Sequence, residues 1–262
     1  MMQLVESTKE MFRDSRFLRK ALMIACPVAL QGMLNTVVNL VDTLMIGTMG
    51  ATAIAAVGLA NKFFFVFSLL VFGIVSGSGV LAAQFWGNGD IKSIRKVLGL
   101  SILLALAGAL FFVVPALMSP QSVMRIFTTS HDSVELGAKY LKIAVLTYPF
   151  LAMTNVYVAI LRAVNKVIFP VISSCIAIVI NICLNYVLIF GKFGAPAMGV
   201  SGAAVATLIA RIIEIMLILG YVYGKKLPVA CGIREMIRLS GLFIGQFFRT
   251  SDPVIDNAVL WG

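Results

Sequence analysis

The sequence is poor in charged residues and in the side chains that build soluble active sites. Only 12% of its 262 residues are charged and His131 is the single histidine, whereas 60% are hydrophobic and the mean hydropathy is +1.01. This composition indicates an integral membrane protein rather than a soluble domain. No nucleophile, base and orienting group occur at neighbouring positions, and no phosphate-binding loop is present, so we do not expect an enzyme.

Cysteine is also scarce, and its positions exclude two further classes of protein. Cys26, Cys175, Cys183 and Cys231 have no metal-ligand spacing, and three of them sit inside apolar runs. They are therefore expected to be small hydrophobic residues, without a disulfide framework, a metal site or a cofactor. Residues 1–20 carry charges of both signs and no small-residue cleavage site, which predicts a charged cytoplasmic leader rather than a signal peptide.

Long apolar runs make up most of the remaining chain. A run of about 20 apolar residues, at ~1.5 Å per residue, covers the ~30 Å hydrocarbon core of a bilayer. The sequence thus predicts an all-α integral membrane protein, a six-helix transmembrane bundle that occupies residues 21–223. The predicted helices cover about residues 21–46, 53–84, 97–117, 140–162, 167–190 and 199–223, and the longest break between them is 119–139.

The net charge of +10 does not indicate a nucleic-acid partner, because the cations lie in short segments between the apolar runs. Of the 21 lysines and arginines, fifteen fall in the leader, in the turns after the second and fourth helices, and after the sixth helix. Such asymmetry favours a multi-pass protein of the cell membrane with both ends of the bundle in the cytoplasm. The four cations predicted on the opposite side are Arg125, Lys139, Lys142 and Lys192, and two more, Lys62 and Arg211, fall within helices.

The first predicted helix carries a stripe of polar residues. Gln31, Asn35, Asn39 and Asp42 are spaced four, four and three residues apart, which places them on one helical face. An acid near the bilayer centre costs roughly 2.5–3.5 kcal/mol, so this face should meet other helices or a water-filled cavity. The amides alone could serve only to join helices. A lone buried carboxylate is instead expected to be functional, and we predict a functional role for Asp42.

Other intramembrane polar residues are candidates for the same cavity. Asn181 and Asn185 lie one turn apart in the fifth helix, and we expect Asn155 and Lys62 to line the cavity as well. Lys62 either snorkels to the outer interface or pairs with Asp42. A further pair, Arg211 and Glu214, is three residues apart on the sixth helix, and this spacing favours a self-contained ion pair.

The end of the chain suggests a second repeat. Residues 224–249 form a basic amphipathic segment, which we interpret as a linker on the inner membrane surface. Residues 250–262 then resemble the opening of the first helix, because Pro253 and Val254 follow a basic lead-in as Pro27 and Val28 do. This pattern predicts the start of a seventh helix in a doubled transporter.

Four stretches of the sequence carry a resemblance to a known family. NLVDTLMIGTMG, AQFWGNGD, AILRAVNKVIFP and NICLNYVLIFGKFGAPAMGVSGAAVAT are similar to the multidrug and toxin extrusion (MATE) family, in the expected order. The resemblance implies one lobe of a two-lobe, twelve-helix transporter that exchanges cationic drugs for protons or sodium ions. It also implies that Asp42 is the coupling acid, that Pro27 is a bend in the first helix, and that Asn185 replaces a second acid of some branches.

Two other hypotheses stay open at this point. A flippase for lipid-linked oligosaccharides would belong to the same superfamily, although such flippases use several cavity arginines and only Lys62 and Arg211 are candidates here. Alternatively, the 262-residue chain is a fragment that does not transport, because its second lobe is missing. In either transporter, membrane lipid and a second six-helix lobe are the expected partners. The antiporter would also take a small organic cation as its substrate.

Overall fold

A computed structural model of the chain describes residues 15–232, apart from the side chains of residues 15–25, 27, 28, 35 and 39. Within this range the protein is helical and contains no β-strand. Six segments are long and apolar enough to cross a membrane, which confirms the predicted all-α fold. The predicted leader up to residue 14 and the predicted seventh helix at 250–262 lie outside the described residues.

Eight α-helices form the described part of the fold. They are α1 Ser15–Gly47, α2 Ala51–Gly87, α3 Ile91–Met118, α4 Pro120–Arg125, α5 His131–Ala144, α6 Tyr148–Ala163, α7 Ile168–Phe190 and α8 Val200–Gly224. A 3₁₀ turn, Val145–Thr147, joins α5 to α6, so that together they form one membrane span. Each of the other spans is a single helix.

The segment 119–139, predicted as a break, is instead largely helical. It contains α4 and the first half of α5. Asp132, Glu135 and Lys139 lower the hydropathy here, but they are exposed, and Lys139 Nζ donates to Glu135 Oε1 one turn away at 2.8 Å. The buried face of α5, which includes Gly137 and Leu141, packs against the bundle and stabilises the helix.

Two apolar clusters fill the bundle. The larger one joins α2, α3, α5, α6 and α8, and at its centre the ring of Phe67 stacks on that of Tyr148 with centroids 4.3 Å apart. The smaller one joins the end of α1 to α2, α7 and α8 through Ile46, Val57 and Ala203. A cavity beside Asp42 lies where the two clusters meet, since residues of both contribute to its wall.

Helices α7 and α8 are held close together by a tight turn. Gly191 ends α7 in the left-handed region (φ 66°), and a Cβ there would lie 2.8 Å from the backbone nitrogen of Ala197. Only glycine therefore fits this position without strain. The turn returns the chain antiparallel to α7, which brings the polar residues of α7 opposite those of α8.

The chain after α8 folds back on the bundle before the described part ends. Val229 and Cys231 are buried, Arg95 Nε donates to the carbonyl oxygen of Pro228 at 2.9 Å, and Tyr223 donates to that of Cys231 at 3.1 Å. The first residues of the predicted linker are thus attached to the ends of α3 and α8. The remainder, 233–249, lies outside the described residues.

Candidate functional site

Asp42 lies in a polar layer formed by α1, α7 and α8. Asn185 is fully buried and donates from Nδ2 to Asp42 Oδ1 at 2.6 Å and to Asn181 Oδ1 at 3.2 Å. Asn181 in turn donates to the Thr207 hydroxyl at 3.2 Å, and this hydroxyl donates to the carbonyl oxygen of Ala203. Asn181 and Asn185 face α1 because they lie one turn apart on the same side of α7.

One buried oxygen in this layer has no hydrogen-bond partner among the described residues. It is Oδ1 of Asn185, on the same amide that donates to Asp42. Buried polar atoms are almost always paired, so an unpaired acceptor beside a carboxylate is a notable feature. It is suited to a bound cation, or, after rotation of the amide, to the proton of a neutral Asp42 carboxyl group.

Two cavities open onto Asp42. One, of about 240 Å³, lies between α1, α2, α7 and α8, and the other, of about 380 Å³, lies between α1, α2, α5, α6 and α8. Asp42, Phe64, Thr207 and Arg211 line both of them, and Tyr140 and Tyr148 contribute to the larger one. The site thus combines one carboxylate, one guanidinium and several aromatic rings.

A second polar layer crosses the bundle closer to the N-terminal half of α1. Arg162 donates to Gln31 Oε1 at 2.8 Å, Gln31 donates to the Ser174 hydroxyl at 2.6 Å, and Ser174 donates to Glu214 Oε1 at 2.6 Å. Arg211 closes the series by donating to Glu214 Oε2 at 2.7 Å. The hydrogen bonds therefore connect α6, α1, α7 and α8 in one series, in which Ser174 and Arg211 donate directly to the buried Glu214 carboxylate.

This second layer changes the interpretation of the ion pair on α8. The predicted contact between Arg211 and Glu214 is present, but it is not self-contained, because Glu214 also accepts from Ser174 on α7. Glu214 is only 2% exposed, and a carboxylate so buried requires partners for both oxygens. Arg211 also faces the cavities, so it connects the two polar layers.

The other predicted site residues have different positions. Gln31 is buried in the second layer, whereas Lys62 is exposed and Asn155 half-buried, and neither is among the residues that line the two cavities. Within the described residues Lys62 forms no ion pair with Asp42. The chain is helical on both sides of position 27. The side chains of Pro27, Asn35 and Asn39 lie outside the described residues.

Sequence reasoning missed Arg162, Ser174 and Thr207. Helical spacing contained a signal for two of them, because Ser174 precedes Asn181 by seven residues and Thr207 precedes Arg211 by four. Arg162 lies in the last turn of α6, four residues before Lys166, so that in the sequence it has the pattern of a basic turn. Within residues 15–232 no group of three or more histidine, cysteine or acidic side chains is placed to hold a metal ion.

The fold and the site define a class of protein, a membrane-spanning helical bundle of the kind that forms one lobe of a transporter. Comparison with known proteins agrees with this class. Residues 27–187 match the family MatE. The chain is 27% identical over 253 residues to the probable multidrug resistance protein YoeA of Bacillus subtilis, covering 92% of this chain and 53% of that protein.

Two further comparisons give the same result. The probable multidrug resistance protein NorM of Thermotoga maritima is 32% identical over 213 residues, covering 80% of this chain and 45% of NorM. The fold matches a structure of a multidrug resistance MATE family transporter in an outward-facing conformation with a TM-score of 0.81 at 22% identity, over 92% of this chain and 52% of the other. The chain belongs to the MATE family, as the N-terminal lobe, and spans about half the length of these relatives.

Proposed function

We propose that this chain is the N-terminal lobe of an antiporter that exports organic cations in exchange for protons or sodium ions, with Asp42 as the coupling residue. The observation that carries the proposal is the position of Asp42. It is the one acidic side chain among the described residues that line the two cavities, and its carboxylate is held by Asn185 at 2.6 Å. An intramembrane carboxylate in such a setting is the usual place for a cation to bind.

The Asn185 amide suits both states of the coupling residue. When Asp42 is ionised, Nδ2 of Asn185 donates to it, as observed. When Asp42 is protonated, the same amide can rotate and accept the proton through Oδ1, which is unpartnered in the part of the chain that the structure describes. A sodium ion would instead take oxygen ligands from Asp42, Asn185 and Thr207. Either event changes the hydrogen bonds between α1 and α7, and coupling requires such a change.

The wall of the larger cavity supports an organic cation as substrate. Phe64, Tyr140 and Tyr148 place aromatic side chains around the Asp42 carboxylate. Rings attract cations through their quadrupole, by about 0.5–2 kcal/mol each, and a carboxylate supplies the counter-charge. Occupancy of Asp42 by the substrate and by the coupling ion would then be mutually exclusive, which gives exchange rather than cotransport.

A second six-helix lobe is part of the proposal. The chain spans about half the length of its relatives, and the substrate path of repeat-built carriers lies between the repeats. We therefore expect residues 1–262 alone not to transport. We also place the protein in the cell membrane with the N-terminus in the cytoplasm, on the basis of the cation asymmetry. No cofactor other than the coupling ion is expected.

The test compares two variants of the full-length transporter in liposomes. Asp42→Asn should abolish ethidium flux driven by a pH or sodium gradient while the protein stays folded, because an amide at position 42 still accepts from Asn185. The matched control is Asp132→Asn, an acid 87% exposed at the start of α5, which should leave flux unchanged. Flux through Asp42→Asn at the original rate, with the same ion dependence, would refute the assignment.

A further inference from the structure

A large cavity lies away from the Asp42 site, on the membrane face where α1 ends. It has a volume of about 730 Å³ and is formed between α4 and α5. Val134 and Ala138 are the buried part of its wall, and polar and charged side chains surround them. The charged ones are Arg125 of α4 and Glu135, Lys139 and Lys142 of α5, and His131 lies beside them.

Most of the cations that the sequence predicts on this side of the membrane lie at this cavity. The sequence puts only four cations on this side of the membrane, and three of them, Arg125, Lys139 and Lys142, line the cavity. Lys139 is paired with Glu135, whereas Arg125 and Lys142 have no carboxylate within 4 Å among residues 15–232. Cations are normally rare on this side, and two unpaired ones at one cavity are suited to an anion.

The position of Lys142 along α5 indicates an anion that belongs to the membrane. Lys142 is exposed and lies eleven residues after His131, ~16 Å along a helix that continues into an apolar span. A long cationic side chain beside such a span is expected to snorkel towards an anion at the interface. One turn further along the same face of this span, Leu146 is apolar and 39% exposed. This face is therefore cationic at Lys142 and apolar at Leu146, which matches the order of a phospholipid headgroup and its acyl chain.

The short helix α4 also has polar residues at the cavity and an apolar surface next to them. Gln121 and Arg125 line the cavity, whereas Ser122 and Ile126, the residue that caps α4, line a separate surface with the exposed Met118 at the end of α3. Ile126 is 76% exposed and Met118 is 80% exposed, as expected of residues in contact with lipid. Exposed apolar residues next to charged ones are expected of a segment at the interface between headgroups and acyl chains.

We propose that this cavity binds the phosphate of an anionic phospholipid, held by Arg125 and Lys142, with an acyl chain along the Leu146 side of α5. The site is independent of the coupling ion and of the exported substrate. Its ligand differs from a soluble anion by the acyl chain, and the experiment separates the two.

The test uses the purified full-length transporter and native mass spectrometry. Protein titrated with phosphatidylglycerol should retain it in preference to phosphatidylcholine. Arg125→Gln and Lys142→Gln should each weaken binding by about fivefold, the expected contribution of one cation near an anionic surface, and the double variant by about 25-fold. The control is Lys192→Gln, the fourth cation of this side, which lies outside the cavity and should have no effect.

Two more measurements decide between the alternatives. Lys142→Arg keeps the charge and should keep binding, so that a loss caused by misfolding is recognised. Millimolar inorganic phosphate and glycerophosphoglycerol, which lacks acyl chains, should displace little of the phospholipid. Full displacement by either would overturn the proposal in favour of a soluble anion, and unchanged phosphatidylglycerol binding in the double variant would overturn the site itself.

Discussion

The carboxylate of Asp42 accepts a 2.6 Å hydrogen bond from the amide of Asn185, a residue 143 positions further along the chain. This contact joins α1 to α7 at the wall of both cavities. It is a charge-assisted hydrogen bond with limited access to water, so it stabilises the observed arrangement of the two helices more than a surface contact would. Any ion or substrate that occupies Asp42 must compete with it.

The first prediction concerns this contact. Asn185→Leu keeps the approximate size of the side chain but leaves Asp42 without its amide partner. We expect ion-driven efflux to fall by about tenfold, because loss of one partner of a buried hydrogen bond to a charged group costs about 1–3 kcal/mol. The measurement is the initial rate of drug efflux against an imposed gradient. Asn155→Leu on α6 is the control, and an equal effect of both substitutions would contradict the prediction.

The second prediction concerns the buried layer around Glu214. Glu214→Leu leaves the Arg211 guanidinium and the Ser174 hydroxyl without their acceptor. Because Arg211 is 34% exposed, the cost should lie below that of a fully buried pair, at about 1–3 kcal/mol. The midpoint of thermal unfolding in detergent should therefore fall clearly. The double variant Arg211→Met/Glu214→Leu should regain part of the loss, since both charges are gone. Glu135→Leu, at an exposed ion pair, should leave the midpoint unchanged, and a similar fall there would contradict the role of burial.

Helical periodicity explains why the membrane fold could be predicted from the sequence. The length and composition of the apolar runs fix the spans, and the four-residue spacing of Asn181 and Asn185 puts them on one face of α7. The segment around Glu135 was misjudged because its charged residues lower the mean hydropathy, although they lie on the exposed side of an amphipathic helix.

Contacts between helices could not be predicted in the same way. Spacing identifies which residues share a helical face, but not which faces meet. Gln31 and Ser174 are 143 residues apart, and only packing of α1 on α7 brings them to 2.6 Å. The same holds for Ser174 and Glu214, so the second polar layer had no signature in the sequence beyond its separate members.

A third prediction concerns the start of α3. The Ser93 hydroxyl, at 2.6 Å, and then the Ser93 amide, at 3.0 Å, donate to the Asp90 carboxylate and hold the pKa of Asp90 below its ordinary value of 3.8. The folded pKa is depressed, so the stabilisation is complete above pH 3.8 and is lost as the pH falls through the folded value. The cap should therefore be present at neutral pH.

Hydrogen exchange of the Ser93 amide measures this cap. At pH 7, Asp90→Ala should make local opening easier by about 0.5–2 kcal/mol, whereas Asp90→Asn should retain most of the protection, because asparagine is also a good N-cap. The difference between Asp90 and the asparagine variant should disappear in acid. Faster exchange in Asp90→Asn than in Asp90→Ala would exclude the capping role.

A fourth prediction tests the orientation in intact cells. In a variant without the four native cysteines, Thr129→Cys should react with a membrane-impermeant maleimide and Lys92→Cys should not. Both positions are exposed, so the difference reports the side of the membrane and not burial. Lysed cells provide the control, because both cysteines should then react. Labelling of Lys92→Cys alone in intact cells would reverse the orientation.

The last prediction concerns the close approach of α7 and α8 beside the Asp42 site. A Cβ at Gly202 would lie 2.6 Å from the carbonyl oxygen of Leu188, a backbone atom that cannot move without moving α7. Gly202→Ala should therefore separate the helices, lengthen the 3.2 Å hydrogen bond between Asn181 and Thr207, and cost about 1–3 kcal/mol of stability. Drug efflux should fall together with the stability, because Arg211 and Thr207 are carried on the displaced α8.

Gly220→Ala on the same helix is the matched control, since no atom of the described chain lies within 4 Å of its Cβ position and alanine favours a helix. Thermal unfolding and efflux of the two variants give the comparison, and a Gly202→Ala protein as stable and active as Gly220→Ala would contradict the close packing of α7 on α8.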